Sequence, residues 1–568
     1  MDRLPHELLV NILNQCIALG PKSVVLNVRL VCRLFDRILK PSVCRTLNLD
    51  FSRLSRASHR PLPRDDALQT IGYNCRSIFI DLMVLRDELE VEFLEAVFTH
   101  IPSMADFCQT MQKKYCMGDG SFTEAEYYSK VETMLFNCRG VDSLRLNLPF
   151  QLVGRHCNTA IRVLANTLKA FACRAVEGAV DLKTLVVENL TDIAVCATWL
   201  NPSDVVNIVS ITNELRHLVL SLRRHDLEPA RATLFRSCFW DLIERATELE
   251  TLCIVGMDHD DRAPRGLKQT RFWQLPVEEW RARAFPAPRV NWCSLVCLEL
   301  KRLEITPEAF HSVLLCLGNH LRELYLNEIY LKTEQSNDYN QDSRKALWVG
   351  LPNQRPGPDC YWMATLVRTC VPSLRICRAS FLAYDHFFRD DTTAHPDFDL
   401  GDPCGLGRSV SQRFVEVALG IRQPNSRSGR PVVYLSGHPA DDAVLAQGLR
   451  DRTRALLATE YDTVAYQTAV DNPTSEWQRS LDGIFHNCNT GTLDELHHIA
   501  ETACRGMNEI NRRRNESTAG HSTASSVFED EPEDGADSQP AAPSQLLQSN
   551  HPPPNSGPDD DLLQDPML

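Results

Sequence analysis

The sequence predicts an α/β protein: a small helical module, then a long array of strand–helix units, then a disordered acidic tail. Three observations predict it. Two helical apolar runs crowd the first 47 residues, a short apolar-x-x-apolar-x-apolar pattern returns nine times between Cys44 and Ile376, and the composition changes abruptly at Arg512.

In LPHELLVNILNQC, Pro5 suits a first helical turn, where its missing N–H costs nothing. Leu8, Leu9, Ile12, Leu13 and Cys16 recur at helical spacing, and Gly20 with Pro21 ends the helix. Leu30, Val31, Leu34, Phe35 and Ile38 repeat the spacing, with Leu39 beside them and Pro41 as the stop. Between the runs, Val24, Val25, Leu26 and Val28 form a connector of a turn or two of helix. A unit of about 40 residues cannot bury that much apolar surface within itself. It either packs on the next domain or binds a partner.

LPHELLVNIL followed by RLVCRLFDRILKP resembles the F-box family. The resemblance implies a three-helix module over residues 1–47 that docks its apolar face on the Skp-type adaptor of SCF ubiquitin ligases. Carried over by position, the implied contacts are Leu4, Pro5, Leu8, Ile12 and Leu13, then Val31, Cys32 and Phe35. Glu7 matches the acidic position that commonly follows the Leu-Pro pair. Phe35 stands where many members have tryptophan, and the connector lacks the usual Asp-Leu pair, which leaves the geometry of the central helix open.

The recurring pattern begins with CRTLNL at Cys44, CRSIFI at Cys75 and VDSLRL at Val141. It continues as LKTLVV at Leu182, LRHLVL at Leu215 and LETLCI at Leu249, then LVCLEL at Leu295, LRELYL at Leu321 and VPSLRI at Val371. Two apolar residues separated by one face the same side of a strand. Stretches such as VVNIVSITNE, CFWDLIERATE and PEAFHSVLLCLGNH lie between copies as helices or loops. One strand and one helix cannot bury their apolar side alone, whereas stacked copies share a core. The body, residues 48–440, therefore resembles an irregular leucine-rich-repeat-like solenoid, a body found in one F-box subfamily, and its cysteine-rich irregularity resembles filamentous-fungal members. Spacings of 31, 66, 41, 33, 34, 46, 26 and 50 residues exceed regular repeats, and no asparagine ladder follows the strands. The gap from Cys75 to Val141 has room for a further copy. An ordinary parallel α/β domain would give similar buried runs.

Two insertions carry interface-type residues. Arg262–Phe285 holds Arg271, Trp273, Trp280 and Arg283, and Thr333–Cys360 holds Trp348. Arg271, Trp273, Trp280 and Trp348 are the candidates for protein-substrate contact; the alternative is that these tryptophans pack their loops onto the domain. FVEVALGI and PVVYLSG read as strands continuing or capping the array, residues 441–511 read as mainly helical, and residues 512–568 as a disordered acidic tail.

The net charge is −14, but eleven acids and no lysine or arginine follow Arg514, so the first 514 residues carry only −3. Charge makes no case for nucleic acid or an anionic membrane. No apolar run is long enough to span a bilayer, and Asp2, His6 and Glu7 interrupt where a signal peptide would be basic then apolar. The 21 cysteines are scattered and odd in number, as expected of reduced thiols in cytoplasm or nucleus. Phosphate-cradle, dinucleotide, nucleophile-elbow and zinc motifs are absent. His486, Cys488, His497, His498 and Cys504 fit no standard metal spacing, and the acidic loops around Asp258 and Asp390 lack EF-hand glycine and glutamate. The expectation is a non-catalytic, cofactor-free adaptor: the module binds a Skp-type adaptor and through it a cullin–RING ligase, and the body holds a protein substrate. The alternatives are an F-box scaffold that assembles no ligase, an enzyme with an unrecognised site in the body, and a repeat module whose first helices only cap it.

Overall fold

The structure is a computed structural model that describes, with short breaks, residues 4–50, 63–82, 124–149, 158–256, 294–331, 345–349, 360–384 and 410–419, and a few isolated residues beyond. Two units divide the chain, Met1–Asn508 and Glu509–Leu568. The first is a mixed α/β unit built on a large parallel sheet.

Three helices open it: α1 (His6–Leu19), α2 (Lys22–Arg29) and α3 (Arg33–Val43). The connector is thus a full helix, although it lacks the Asp-Leu pair. Pro41, expected as a stop, lies inside α3. It is tolerated because Pro41 and Arg37 are both exposed, so the carbonyl that loses its partner faces water. Cys44 N–H then closes the helix on the Lys40 carbonyl at 2.9 Å.

Nine strands follow: β1 (Thr46–Asp50), β2 (Ser77–Asp81), β3 (Ser143–Asn147), β4 (Thr184–Thr191), β5 (His217–Arg223), β6 (Thr251–Gly256), β7 (Cys297–Lys301), β8 (Glu323–Asn327) and β9 (Ile376–Ser380). They form one sheet in strict sequence order, every pair parallel. Each strand is one copy of the sequence pattern. Pairing lines the copies up side chain by side chain: Leu47, Ile78, Leu144, Leu185, Leu218, Leu252, Leu298 and Leu324 make one buried column across eight strands.

The ninth copy departs from its reading. Cys377, not Leu374, pairs with Leu324, and Ala379 pairs with Leu326, so the unit starts at Leu374 rather than Val371. No strand enters between the second and third copies, because Ile78 pairs directly with Leu144. The 66-residue gap is an insertion, not a hidden repeat.

Helices cross between strands: α4 (Asp65–Ile71), α5 (Glu124–Asn137), α6 (Asn158–Val176), α7 (Asp192–Leu200), α8 (Pro202–Thr212), α9 (Pro229–Glu244), α10 (Pro307–Leu317), α11 (Met363–Cys370) and α12 (Val410–Ala418). Several begin as their sequences dictate. The Thr191 and Thr306 hydroxyls each accept an N–H at 3.1 Å, and Pro202 and Pro307 occupy first-turn positions. The segment FVEVALGI is helix α12 over most of its length, not a strand. Phe414, Val415, Val417, Ala418 and Leu419 form a near-continuous run of buried apolar residues, which by itself does not distinguish a buried strand from a buried helix. The Gln423–Pro424 and Pro431–Val432 strands pair antiparallel outside the main sheet.

The central strands are buried on both faces. Val219, Cys253 and Val255 point opposite to the leucine column and are buried too, which is why TLCIVG reads as a continuous apolar run. Toward β1 that second face opens: Asn48 is exposed, and Phe79 and Arg145 are half-buried. There Arg145 lies over the Phe79 ring and pairs with Glu188, while Asn189 donates to Asn147 and Asn147 to Asp81. Asn189 sits at φ +56° in a bulge of β4, a conformation asparagine tolerates better than other side chains.

His217 at the start of β5 has its pKa lowered, chiefly by burial and further by Arg216, with Glu250 opposing. A histidine kept neutral in the fold favours the folded state above its unfolded pKa, and that contribution is lost as pH falls. We expect stability to decline below about pH 6.5, and His217→Gln to flatten that limb of a denaturation-against-pH curve. Trp348, packed edge-on against Phe310 and Phe414, is expected to cost about 3–5 kcal/mol on truncation to alanine, read by urea unfolding.

Candidate functional site

Helix α1 carries two apolar stripes, and only one has a place in the protein's own core. Leu9 and Leu13, four apart, turn inward onto Val25, Phe35, Leu39 and Val43, a small core separate from that of the sheet. Leu8 and Ile12 precede them by one residue each, which rotates them about 100° around the helix and out of that core. Leu4, one turn before Leu8, continues the outer stripe. Pro5 starts the first turn by accepting Leu9 N–H at 3.1 Å.

On α2 the same division holds: Val25 is buried while Val24 and Leu26 are exposed. The α2–α3 turn then presents Leu30 and Val31, 73% and 69% exposed. Their N–H groups bond to Asn27 and Val28 carbonyls, so the turn is ordered with its apolar side chains outward. Cys32 follows in extended backbone at the start of α3, also exposed. Arg29, itself half-buried, ties α2 to α3 through Asp36 at 3.2 Å.

Seven of the fourteen strongly exposed large apolar side chains among the described residues therefore lie between Leu4 and Val31. Burying each is favourable by about 1.5–3 kcal/mol, so this surface has the makings of a docking face.

The residues singled out from sequence divide accordingly. Leu4, Pro5, Leu8, Ile12, Val31 and Cys32 are exposed and available. Leu13 and Phe35 are not: both are buried in the module's own core, so their apolar character holds the helices together. Trp348, named as a surface anchor, is fully buried in the body, its ring centroid 5.5 Å from that of Phe310 and 5.4 Å from that of Phe414. For Trp348 the alternative reading, that it packs its loop onto the domain, is the one the structure bears out. Arg271, Trp273 and Trp280 lie outside the described residues, as do His486 to Cys504 and the acidic loops. Val24, Leu26 and Leu30 belong to the same exposed set and were not singled out from sequence; the three successive apolar residues Val24, Val25 and Leu26, which one helix face cannot bury together, were the available signal.

No family model matches the chain, and no curated protein matches it. Among the described residues, no group of three or more acidic, histidine or cysteine side chains is placed to hold a metal, and no helix is long and apolar enough to cross a membrane.

None of the thirteen cysteines whose side chains are described forms a disulfide. Burial pushes the Cys196 thiol up to about 12 and raises that of Cys297 well above its ordinary value, with Glu323 and Glu299 adding to the latter. Cys138 is raised by its hydrogen bond with Cys75 and by burial. Only thiolate reacts, so these sites are expected to be inert to a disulfide reagent until the protein unfolds. Cys32 is expected to react in the native state, and Cys32→Ser to remove that part of the fast phase in a thiol-titration time course.

Proposed function

We propose that this chain is a substrate-recruiting subunit of an SCF-type ubiquitin ligase, with residues 4–47 as an F-box that docks on a Skp-type adaptor. The observation that carries the proposal is the outward pair Leu8 and Ile12 on α1, with Leu4 just before the helix and Leu30 and Val31 in the α2–α3 turn, all exposed. These apolar side chains are exposed although the same helices have a core of their own, and five of the positions that the F-box resemblance marks as contacts, with Cys32, lie on that surface. The body would be a leucine-rich-repeat-like solenoid. Its strictly sequential, all-parallel strand order supports that reading over a doubly wound sheet, in which the order reverses at a switch point.

In this role the chain makes and breaks no bond. It holds a substrate protein beside a charged conjugating enzyme supplied by a cullin–RING ligase, so that transfer becomes effectively intramolecular. An enzyme with a site in the body remains the reading of another class; activity surviving removal of residues 1–47 would favour it. The site of action would be cytoplasm or nucleus.

Co-expression with a Skp-type adaptor tests the proposal. The intact chain is expected to co-purify in equal amount, and a chain lacking residues 1–47 to lose the complex. Leu8→Asp with Ile12→Asp is expected to cost at least about 2 kcal/mol of adaptor binding while the circular dichroism melt stays unchanged. Leu13→Asp, by contrast, should lower the melt itself. Undiminished adaptor binding by the Leu8/Ile12 variant would sink the assignment of this face. Co-purification of a cullin separates a ligase subunit from a scaffold.

A further inference from the structure

A second surface lies where the helical module meets the sheet. Two turns that precede β2 and β3 meet there. Gly72 abuts the end of α5: a Cβ at Gly72 would stand 2.4 Å from the Asn137 carbonyl oxygen, so only glycine permits this approach. Tyr73 follows Gly72 and Phe136 precedes Asn137, so the two aromatic residues flank this backbone contact. Each of these rings is 65% exposed, and among the described residues they are the two strongly exposed large aromatic side chains.

Basic groups surround them. Lys40 of α3 stands over the Tyr73 ring, 5.3 Å from its centroid, and Arg139 over the Phe136 ring at 5.4 Å. Arg45 and Arg76 are successive rungs of the same edge, since Arg76 N–H bonds to the Arg45 carbonyl at 2.8 Å. Both are exposed. Arg76 is also held in place: its guanidinium donates to the Gly140 carbonyl at 3.1 Å, across 64 residues of sequence. A Cβ at Gly140 would press on that guanidinium at 3.4 Å, so the small residue leaves it room. Asp142 is the acid of the next rung, while Asp36 and Asp65 are engaged by Arg29 and Lys130.

We infer that this junction is a recognition surface for an extended, acidic polypeptide segment. Four cations, one of them pre-positioned, and two exposed rings gather in one place on a unit whose overall charge is near neutral. Local charge complementarity therefore selects an anionic partner. The aromatic rings supply apolar contact area at little entropic cost, as at protein interfaces. One face of each ring is already taken by its own cation, which suits carboxylates bridging the cations better than bases stacking on the rings. The inference does not depend on what the outer face of α1 binds.

The test is fluorescence anisotropy on the intact chain. Its probes are labelled oligoglutamate, oligolysine of equal length, a phosphoserine peptide of equal charge and an oligothymidylate. Oligoglutamate is expected to bind, more weakly as salt is raised, and oligolysine not to bind. Arg76→Glu with Arg139→Glu should weaken oligoglutamate at least about tenfold. The same reversal at Arg322 and Arg375, exposed at the far end of the strand-start edge, should leave it within about twofold, separating a local surface from net charge. Tyr73→Ala with Phe136→Ala keeps every charge and should still weaken binding severalfold, with an unchanged melt. The phosphoserine peptide distinguishes phosphoryl from carboxylate anions, either of which supports the reading. Absence of oligoglutamate binding, equal loss in the two charge-reversed variants, or tighter binding of oligothymidylate would each overturn it.

Discussion

The leucine column that runs from Leu47 on β1 to Cys377 on β9 can be buried only against its own neighbours. A single strand of the pattern exposes two apolar side chains on one face, and a single helix beside it cannot cover them. Each strand therefore needs the next, and the backbone ladder and the side-chain column enforce the same register. A slip of one residue would turn Leu144 and Leu146 to the second face and bring Arg145 into the core. The helices, caps and insertions hang on that register. The insertion after β2 shows it plainly: a long stretch of chain intervenes, and Ile78 still finds Leu144.

Much of this architecture was legible because the column repeats one chemistry at one spacing. The reading failed where the chemistry changed. In the last copy the column is carried by Cys377 and Ala379, small residues that a search for large aliphatics passes over, so Leu374 and Ile376 were read in their place. Helix α12 was hidden because its buried apolar residues, Phe414 to Leu419, run nearly without interruption, as a buried strand's would. Trp348 sat among turn-forming polar residues, yet the aromatic partners that bury it, Phe310 and Phe414, lie far away in sequence. The module's two stripes could not be separated from sequence either. Leu8 and Leu9 look alike in the chain, and only the direction of α2 and α3 decides which faces inward. The junction surface was the least legible. Arg45 and Arg76 read as polar fillers of two copies, and Arg139 fell in the stretch before the third; strand pairing makes the first two neighbours, and the contact of the Gly72 turn with the end of α5 brings in the last.

The module is unusual in spending apolar residues on both sides of a short helix. Leu9 and Leu13 are the α1 residues buried in the module's core, whereas Leu8 and Ile12 lie outside it and leave about half of their surface to water, at a solubility cost. A core this small gains little from each contact it makes, and any substitution inside it weakens the frame on which the outer stripe is displayed. The two stripes thus depend on each other in one direction only: the outer one requires the inner one, and the inner one is indifferent to it.

The link between module and sheet is as short as a link can be. Helix α3 ends at Val43 and β1 begins at Thr46, leaving Cys44 and Arg45 between them. Both are engaged. The Cys44 carbonyl accepts the Cys75 thiol at 3.2 Å, and the Arg45 carbonyl accepts Arg76 and Ser77 N–H groups at 2.8 and 3.0 Å. A hinge needs residues whose backbone can change without breaking other bonds, and neither of these qualifies. Rotating α3 against β1 would tear the first rung of the sheet and expose Leu47 and Leu49. Motion between the two parts is therefore coupled to local unfolding of β1, which the apolar column opposes. Anything bound on the outer face of α1 and anything bound along the sheet are held by the same rigid piece, at a separation that the register of nine strands determines.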